Sequence, residues 1–386
     1  MKPEQSTTDL LSKLIAFDTT SRNSNLEIIE FIASLLEPHG IKPELTFDQE
    51  GKKANLFATL GGGGGPGIVL SGHTDVVPVD GQDWSSDPFI TAIRDQRMYG
   101  RGVCDMKGFI AICLTRIDKI LNANLETPIH FAFSYDEEVG CLGVVGLLNE
   151  LKKKPVLPKA CIIGEPTRMG VIRAHKGMLF KRCCVRGKSA HSSLVDQGVN
   201  AITVASRIIS RIDDIQQRVQ KNGPFDPEFD PPYTTLHSGV IKGGTVNNII
   251  PVHCQFDFEI RNLPEQPTLP LFKEVEDYTS NELEPRMHAI DPSTGVDWHT
   301  LADYPGMNTP VGDSLIPMIS ELLGTTAHPG KVSYGTEGGY FQNAGISTIV
   351  CGPGSIEQAH KPDEYIDLDQ LAQGEKFVSA LIGALD

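Results

Sequence analysis

The sequence predicts an α/β domain, in which a sheet is covered by helices on both faces, and a separate α+β module inserted into it. Three observations lead there. A chain of 386 residues exceeds the roughly 250–300 residues at which a single hydrophobic core stops growing, so two domains are expected. Short apolar runs alternate with segments of helical period from the start to about residue 178, and the pattern returns from about Asp313. Between them, from about Leu179 to Met287, the texture is different. The expected division is therefore 1–178 and 291–386 for the two parts of the α/β domain and 179–290 for the insert.

The elements follow in order. Leu10, Leu11, Leu14 and Ile15, then Ile28, Ile29, Ile32 and Leu35, recur at helical spacing on either side of the polar turn Thr19–Asn25, so two helices open the chain. Asn55–Leu60 and Gly67–Ser71 are short apolar strands around the run Gly61–Gly65. No Gly-Lys-Ser/Thr follows that run, so it reads as a hairpin connection and not as a phosphate loop. A helix is expected over Gly108–Leu121, a strand over Ile129–Ser134, a helix over Gly143–Leu151 and a strand over Ala160–Ile163. The insert should hold a long helix over Asn200–Val219, a Pro-rich loop over Pro224–Pro232, and strands near Leu236–Ile241 and His253–Ile260. Ser347–Cys351 and a last helix over Leu368–Leu385 complete the α/β layer.

Hydrophobic residues make up 40% of the chain and charged residues 22%, a globular balance far from that of disordered chains. The formal charge of -15 opposes binding to nucleic acid or anionic membranes, which needs clustered Lys and Arg. Met1–Leu11 carries Lys2, Glu4 and Asp9 and is not expected to act as a secretory signal, and no apolar run has the length of a membrane span. The eight cysteines are scattered without CxxC spacing, as reduced thiols of a cytoplasmic protein are, so neither a disulfide framework nor a thiolate zinc site is expected.

The chemistry lies in dispersed segments, each placed after an apolar run. His73 and Asp75 stand in Gly72-His73-Thr74-Asp75-Val76-Val77-Pro78. Alternate residues of an extended strand share a side, so this pair suits a metal-binding imidazole and the carboxylate that orients it. Asp105 follows Gly100-Arg101-Gly102, Glu137 and Glu138 are adjacent, Glu165 precedes Pro166, and His360 lies in Ala359-His360-Lys361-Pro362-Asp363-Glu364. Two imidazoles and three or more carboxylates suffice for a pair of divalent first-row ions. Neighbouring glutamates face opposite ways in extended chain, so one can bind metal while the other moves a proton. Ser192 and Ser193 lie near His191, but no Gly-x-Ser-x-Gly elbow surrounds them, which opposes a serine hydrolase.

Together these motifs resemble the M20 family of metallopeptidases and deacylases, along the chain from the first helix to the last. The resemblance implies a three-layer catalytic domain built on a mixed sheet and an inserted α+β dimerisation or lid domain, in a homodimer. It implies two divalent ions, zinc with cobalt as the alternative: His73, Asp105 and Glu165 would hold one, and Asp105, Glu138 and His360 the other, with Asp105 bridging. Asp75 would orient His73, Glu137 would be the general base, and His191 would reach into the active site of the dimer partner. A cis peptide is implied at Asp105–Met106.

The implied activity is hydrolysis of an N-acyl amino acid, with no nucleic-acid or membrane partner. Arg173-Ala174-His175-Lys176-Gly177 and Gly352-Pro353-Gly354-Ser355-Ile356 are similar to the branch that deacetylates N2-acetylornithine in arginine synthesis. Branches acting on succinyl-diaminopimelate or on dipeptides share the metal motifs and stay open, and intact Glu137 opposes a metal-binding scaffold without catalysis. Arg261 and Asn248 match positions that bind the substrate α-carboxylate, for which a guanidinium fork is well shaped. Glu337, in Gly335-Thr336-Glu337-Gly338-Gly339, would face a cationic side chain.

Overall fold

The computed structural model describes residues 1–386. In chain order the strands are β1 (Glu44–Phe47), β2 (Ala54–Leu60), β3 (Ile68–His73), β4 (Ala92–Arg94), β5 (Arg97–Tyr99), β6 (Ile129–Ser134), β7 (Ala160–Pro166), β8 (Ile172–His175), β9 (Gly177–Arg186), β10 (Thr235–Gly243), β11 (His253–Asn262), β12 (Gly295–Tyr304), β13 (Met307–Asn308), β14 (Gly330–Val332), β15 (Ser347–Gly352) and β16 (Tyr365–Asp367). The helices are α1 (Gln5–Ile15), α2 (Leu26–Leu36), α3 (Lys107–Leu114), α4 (Ile117–Asn122), α5 (Val144–Leu151), α6 (Ala201–Asn222), α7 (Leu269–Tyr278), α8 (Glu284–His288), α9 (Leu315–Leu323), α10 (Gly338–Asn343) and α11 (Leu368–Ala384). The chain divides into two compact units, Met1–Ala174 with Met307–Lys331 and Thr336–Asp386, and His175–Gly306 with Val332–Gly335.

The first unit is built on a mixed sheet in the order β1-β2-β6-β3-β7-β15-β8-β13, with β14 beside β8. Its centre is parallel: β3 pairs in parallel with β6 and β7, and β7 with β15. Period-2 alternation sorts the two faces. Leu56, Leu60, Leu70, Phe131, Phe133 and Ile162 join one large core with residues of α1, α2, α3, α4, α9 and α11. The residues between them, Ser71, His73 and Glu165 included, point to the other face, where α5 packs on β1 and β2 and against α10. The approach of α3 is closest at Gly164, where a Cβ would lie 2.0 Å from the Phe109 ring, so only glycine can stand beside Glu165 there.

Two expectations are corrected in this unit. The Gly61–Gly65 run is not a hairpin connection, because β6 lies between β2 and β3 in the sheet. The helix expected over Gly108–Leu121 is two, α3 and α4. At the break the Thr115 hydroxyl donates to the carbonyls of Ala111 and Ile112, competing with the helical ladder while the apolar period runs on.

The second unit is a four-stranded antiparallel sheet, β10-β11-β9-β12. Val204, Ile208, Ile212, Ile215 and Val219 of α6 form an apolar stripe against Leu179, Cys183, Phe256, Phe258 and Ile260 of the sheet. The Asn200 side chain caps α6 by accepting the Thr203 N–H at 3.0 Å. Residue 290, where the insert was expected to end, precedes β12, and β12 pairs along its length with β9.

Candidate metal centre

The parallel strands deliver the expected ligands to one end of the first unit. His73 is the last residue of β3, Glu165 is the penultimate residue of β7, and the pair Glu137–Glu138 comes just after β6. Asp105 and His360 come from loops that precede α3 and follow β15. Side chains beyond the carboxyl ends of neighbouring parallel strands converge, which brings together residues nearly 300 positions apart in sequence. The Asp105–Met106 peptide is cis.

The Asp105 carboxylate divides its two oxygens between the two imidazoles. Oδ1 is 3.0 Å from His73 Nε2, and Oδ2 is 3.3 Å from His360 Nε2. Each imidazole also faces a glutamate: Glu165 Oε1 lies 3.4 Å from His73 Nε2 and Glu138 Oε2 lies 2.9 Å from His360 Nε2. Grouped instead by donor atoms that all lie within 4.8 Å of one another, the sets are His73, Glu137 and Glu165, and His73, Asp105 and Glu138. The two groupings differ over His360, whose side chain is 53% exposed and stands at the rim. The pairwise contacts give each Nε2 one Asp105 oxygen and one glutamate oxygen, while Glu137 stands on the His73 side with its Oε1 accepting the Cys141 thiol at 3.5 Å.

The orientation of His73 comes from an unexpected atom. Its Nδ1 is 2.9 Å from the main-chain oxygen of Asp75, an acceptor only, so Nδ1 carries the proton and Nε2 is free to bind metal. The Asp75 carboxylate is farther, 3.6 Å from Nδ1. It accepts instead the main-chain N–H of Glu137 at 3.1 Å and of Glu138 at 3.3 Å, and the Ser21 hydroxyl at 2.7 Å.

Electrostatics fits this donor set to divalent cations. Burial, then Asp105, pushes the carboxyls of Glu138 and Glu165 up to about 7, although His360 and His73 oppose the shift. Glu137 is raised well above the usual range by burial, against the His73 charge and with reinforcement from Glu165, Glu138 and Glu337. Hydrogen bonds to Asp105 and Glu138 hold His360 up at about 11. Burial opposes the charge on His73, but its bonds to Asp105 and Glu165 outweigh that and raise its pKa well above the usual value. Burial likewise opposes ionisation of Asp105, yet His360 and His73 hold that carboxyl well below its ordinary range. So many buried acids with so little fixed positive charge call for cations, and two imidazole nitrogens with carboxylate oxygens are the donors that zinc-like ions take.

Glu337 stands at the N-cap position of α10, 2% exposed, on the same face of the sheet. Its Oε1 has no close hydrogen-bond partner, and the hydroxyls of Ser134 and Ser71 stand near enough to favour its charged form without making a close bond. Burial pushes its carboxyl up to about 7.

The other expected site residues belong to the second unit. His191 is exposed, bridges Ile249 and is 2.7 Å from the Ser193 hydroxyl through Nδ1. Asn248 lies beside it, its carbonyl accepting the Ser192 N–H at 3.1 Å. Arg261, on β11, already spends its guanidinium fork on Glu259, at 2.8 and 3.1 Å. The sequence assigns no role to Ser21, Gln82 or Arg101, and Glu364 enters only within quoted motifs, beside His360 and in Asp363-Glu364-Tyr365, without a role. No local signal marks Ser21, which reaches Asp75 across 54 positions of chain.

A family model described as "Peptidase family M20/M25/M40" matches residues 69–384. The chain belongs to that family. An M20 member with this centre is a metal-dependent amidohydrolase. Among curated relatives, an acetylornithine deacetylase of Photorhabdus laumondii is 35% identical over 368 residues, covering 95% of this chain and 92% of the relative. One of Myxococcus xanthus is 33% identical over 378 residues, covering 96% and 95%. Among solved structures, an M20 family metallo-carboxypeptidase of Sulfolobus solfataricus superposes with a TM-score of 0.78 at 17% identity, covering 98% of this chain and 99% of that one. A dinuclear metal-binding M20 peptidase of Bacillus subtilis gives 0.63 at 16% identity, covering 98% of both. At these identities the solved structures establish the fold, an α/β catalytic unit with a smaller α+β one. No helix is long and apolar enough to cross a membrane.

Proposed function

We propose that this M20 amidohydrolase removes the acetyl group of N2-acetyl-L-ornithine, releasing ornithine and acetate, as a cytoplasmic homodimer serving arginine synthesis. The observation that carries the reading is the division of the Asp105 carboxylate between His73 and His360, with Glu137 close beside His73 and Glu165. In this reading Asp105 would join the two ions and Glu137 would move the proton. His73, Asp105 and Glu165 would hold one ion and Asp105, Glu138 and His360 the other, zinc or cobalt. Two such ions supply Lewis acidity, polarising the amide carbonyl and bringing the pKa of water to about 7.

Glu137 then accepts a proton from water at a carboxylate oxygen and returns it to the leaving nitrogen. Its proton affinity, high among uncompensated acids, falls once cations stand beside it, so it works as a base near neutral pH. Asp75 fixes Glu137 through the main chain. His191 of a second copy would stabilise the negative oxygen that develops at the carbonyl, and chains with His191→Ala mixed with chains with Glu137→Ala should then recover part of the activity each lacks. Asn248 and Arg261 would take the α-carboxylate, which requires Arg261 to share or release Glu259.

For the ornithine side chain the support is the names of the curated relatives and the unpaired Glu337 oxygen. The burial of Glu337 favours a second reading, in which it braces the centre and the enzyme acts on another N-acyl amino acid or a dipeptide. The deciding experiment is a panel of N-acetyl and N-succinyl amino acids and dipeptides, assayed with added zinc or cobalt. Acetylornithine should have the highest kcat/KM, and a higher value for succinyl-diaminopimelate or a dipeptide would replace this reading with the second.

A further inference from the structure

The loop that carries His360 is fastened to the loop that carries Asp105 by a buried carboxylate outside the reaction. Glu364, 1% exposed, accepts the main-chain N–H of Gly102 at 3.0 Å, of Cys104 at 2.9 Å and of Asp105 at 3.1 Å, and Arg101 Nη1 at 2.7 Å. Arg101, equally buried, carries the link onward. Its Nη2 donates to Gln82 Oε1 at 2.6 Å, and the Gln82 amide donates to the main-chain oxygen of His360 at 3.0 Å.

His360 has need of such a tether. Its side chain is 53% exposed against 5% for Asp105, so core packing holds the aspartate but not the histidine. His360 and Asp363 have φ of +64° and +53°, the left-handed region that residues with a Cβ rarely adopt. Such a loop keeps its shape only where surrounding bonds over-determine it. Asp363 adds a further bond, accepting the Ser85 N–H at 2.9 Å. Charge-assisted bonds to a buried anion are the strong ones, and a neutral substitute for Glu364 would leave main-chain donors unsatisfied inside the protein.

We propose that Glu364, acting through Arg101 and Gln82, is a positioning residue that sets His360 against Asp105 and thereby the affinity for the second ion, without touching either ion. The inference rests on the two-ion reading above, and its test is arranged to separate the two. The metal-stripped full-length chain is titrated with zinc by calorimetry, and the zinc retained per chain after gel filtration is measured. The parent chain should bind two ions. In Glu364→Gln one of the two ions should bind about 10- to 100-fold less tightly, with the other within about twofold of the parent and Glu364→Asp recovering part of the loss. Gln82→Ala removes one half-buried loop side chain, which is compatible with folding. It should shift the same ion by a smaller factor, and it decides the matter alone if Glu364→Gln does not fold. Unchanged affinities, or equal weakening of both ions, in a folded variant would overturn the inference. Fewer than two ions on the parent chain would overturn the two-ion reading itself, and the inference with it.

Discussion

The Asp75 carboxylate accepts the main-chain N–H of Glu137 at 3.1 Å, while the ring of His73 is oriented by the Asp75 carbonyl at 2.9 Å. One residue thus serves both sides of the centre with different atoms. Asp75→Asn keeps the carbonyl and so should leave the ion at His73 and Glu165 in place. Its amide cannot replace both acceptor oxygens, so the Glu137–Glu138 segment should loosen. We expect kcat/KM to fall about 10- to 100-fold, with the ion at Glu138 and His360 weakened first. Metal content and kinetics on the same preparation check this, and loss of the His73 ion instead would mean that the carboxylate orients the ring.

The adjacent glutamates should part company on substitution. Glu137→Gln keeps size and most hydrogen bonding but cannot take a proton from water, so hydrolysis should fall by about 10²–10⁴-fold with both ions retained. Glu138→Gln should lose metal. Measuring zinc per chain beside turnover separates the two, and exchanged outcomes would reverse the roles given to these residues.

His73, Glu165 and the Glu137–Glu138 pair were legible as candidates because each closes or follows an apolar strand, and such positions collect at one end of a parallel sheet, whereas Asp105 and His360 come from loops and were named through the resemblance of their motifs. What surrounds them was not legible. Glu364 sits in a quoted motif, yet its partners are main-chain N–H groups about 260 positions away, which no side-chain pattern records. The small sheet of β4, β5 and β16 has strands of three residues each, too short for alternation to register. In β12 the alternation of inward Val296 and Trp298 with outward Asp297 and His299 is broken by a register shift between Thr300 and Ala302, and its partner β9 lies more than 100 residues earlier, so the end of the insert was placed too soon. Period 2 puts the Asp75 side chain beside His73, where its Oδ1 lies 3.6 Å from Nδ1, but does not show that the Asp75 carbonyl lies nearer, at 2.9 Å.

Acid sensitivity should arise partly far from the metal residues. His130 stacks on Phe57 at 5.1 Å and meets the Thr59 hydroxyl through Nδ1 at 2.9 Å. Burial, with help from Lys154, pushes its pKa down from 6.5 to about 4. A histidine depressed on folding binds more protons in the unfolded chain between those values, so its contribution is complete above pH 6.5 and declines as pH falls toward 4. The slope is about 1.4 kcal/mol per pH unit at most. His130→Phe retains the stacking and should flatten the pH dependence of unfolding free energy across that window, whatever constant offset follows from losing the Thr59 bond. Denaturant unfolding of both proteins at several pH values reads the difference, and parallel curves would show that His130 titrates alike in both states.

Specificity turns on Glu337. Its Oε1 is buried with only the Ser134 and Ser71 hydroxyls near the carboxyl, a costly state for an anion unless a cation arrives there. The terminal ammonium of acetylornithine is such a cation, and a charge-assisted hydrogen bond contributes about 1.5–3 kcal/mol. Glu337→Gln should therefore lower kcat/KM for acetylornithine by about tenfold or more. Acetylmethionine has a side chain of similar reach and no charge, so it offers nothing to the carboxylate. Its kcat/KM should hold steady or rise, because the substitution removes a buried charge that this substrate leaves unpaired. Equal losses on both substrates would instead make Glu337 a brace for Ser71, Ser134 and the sheet face that presents His73, and the selectivity for ornithine would have to come from residues other than Glu337.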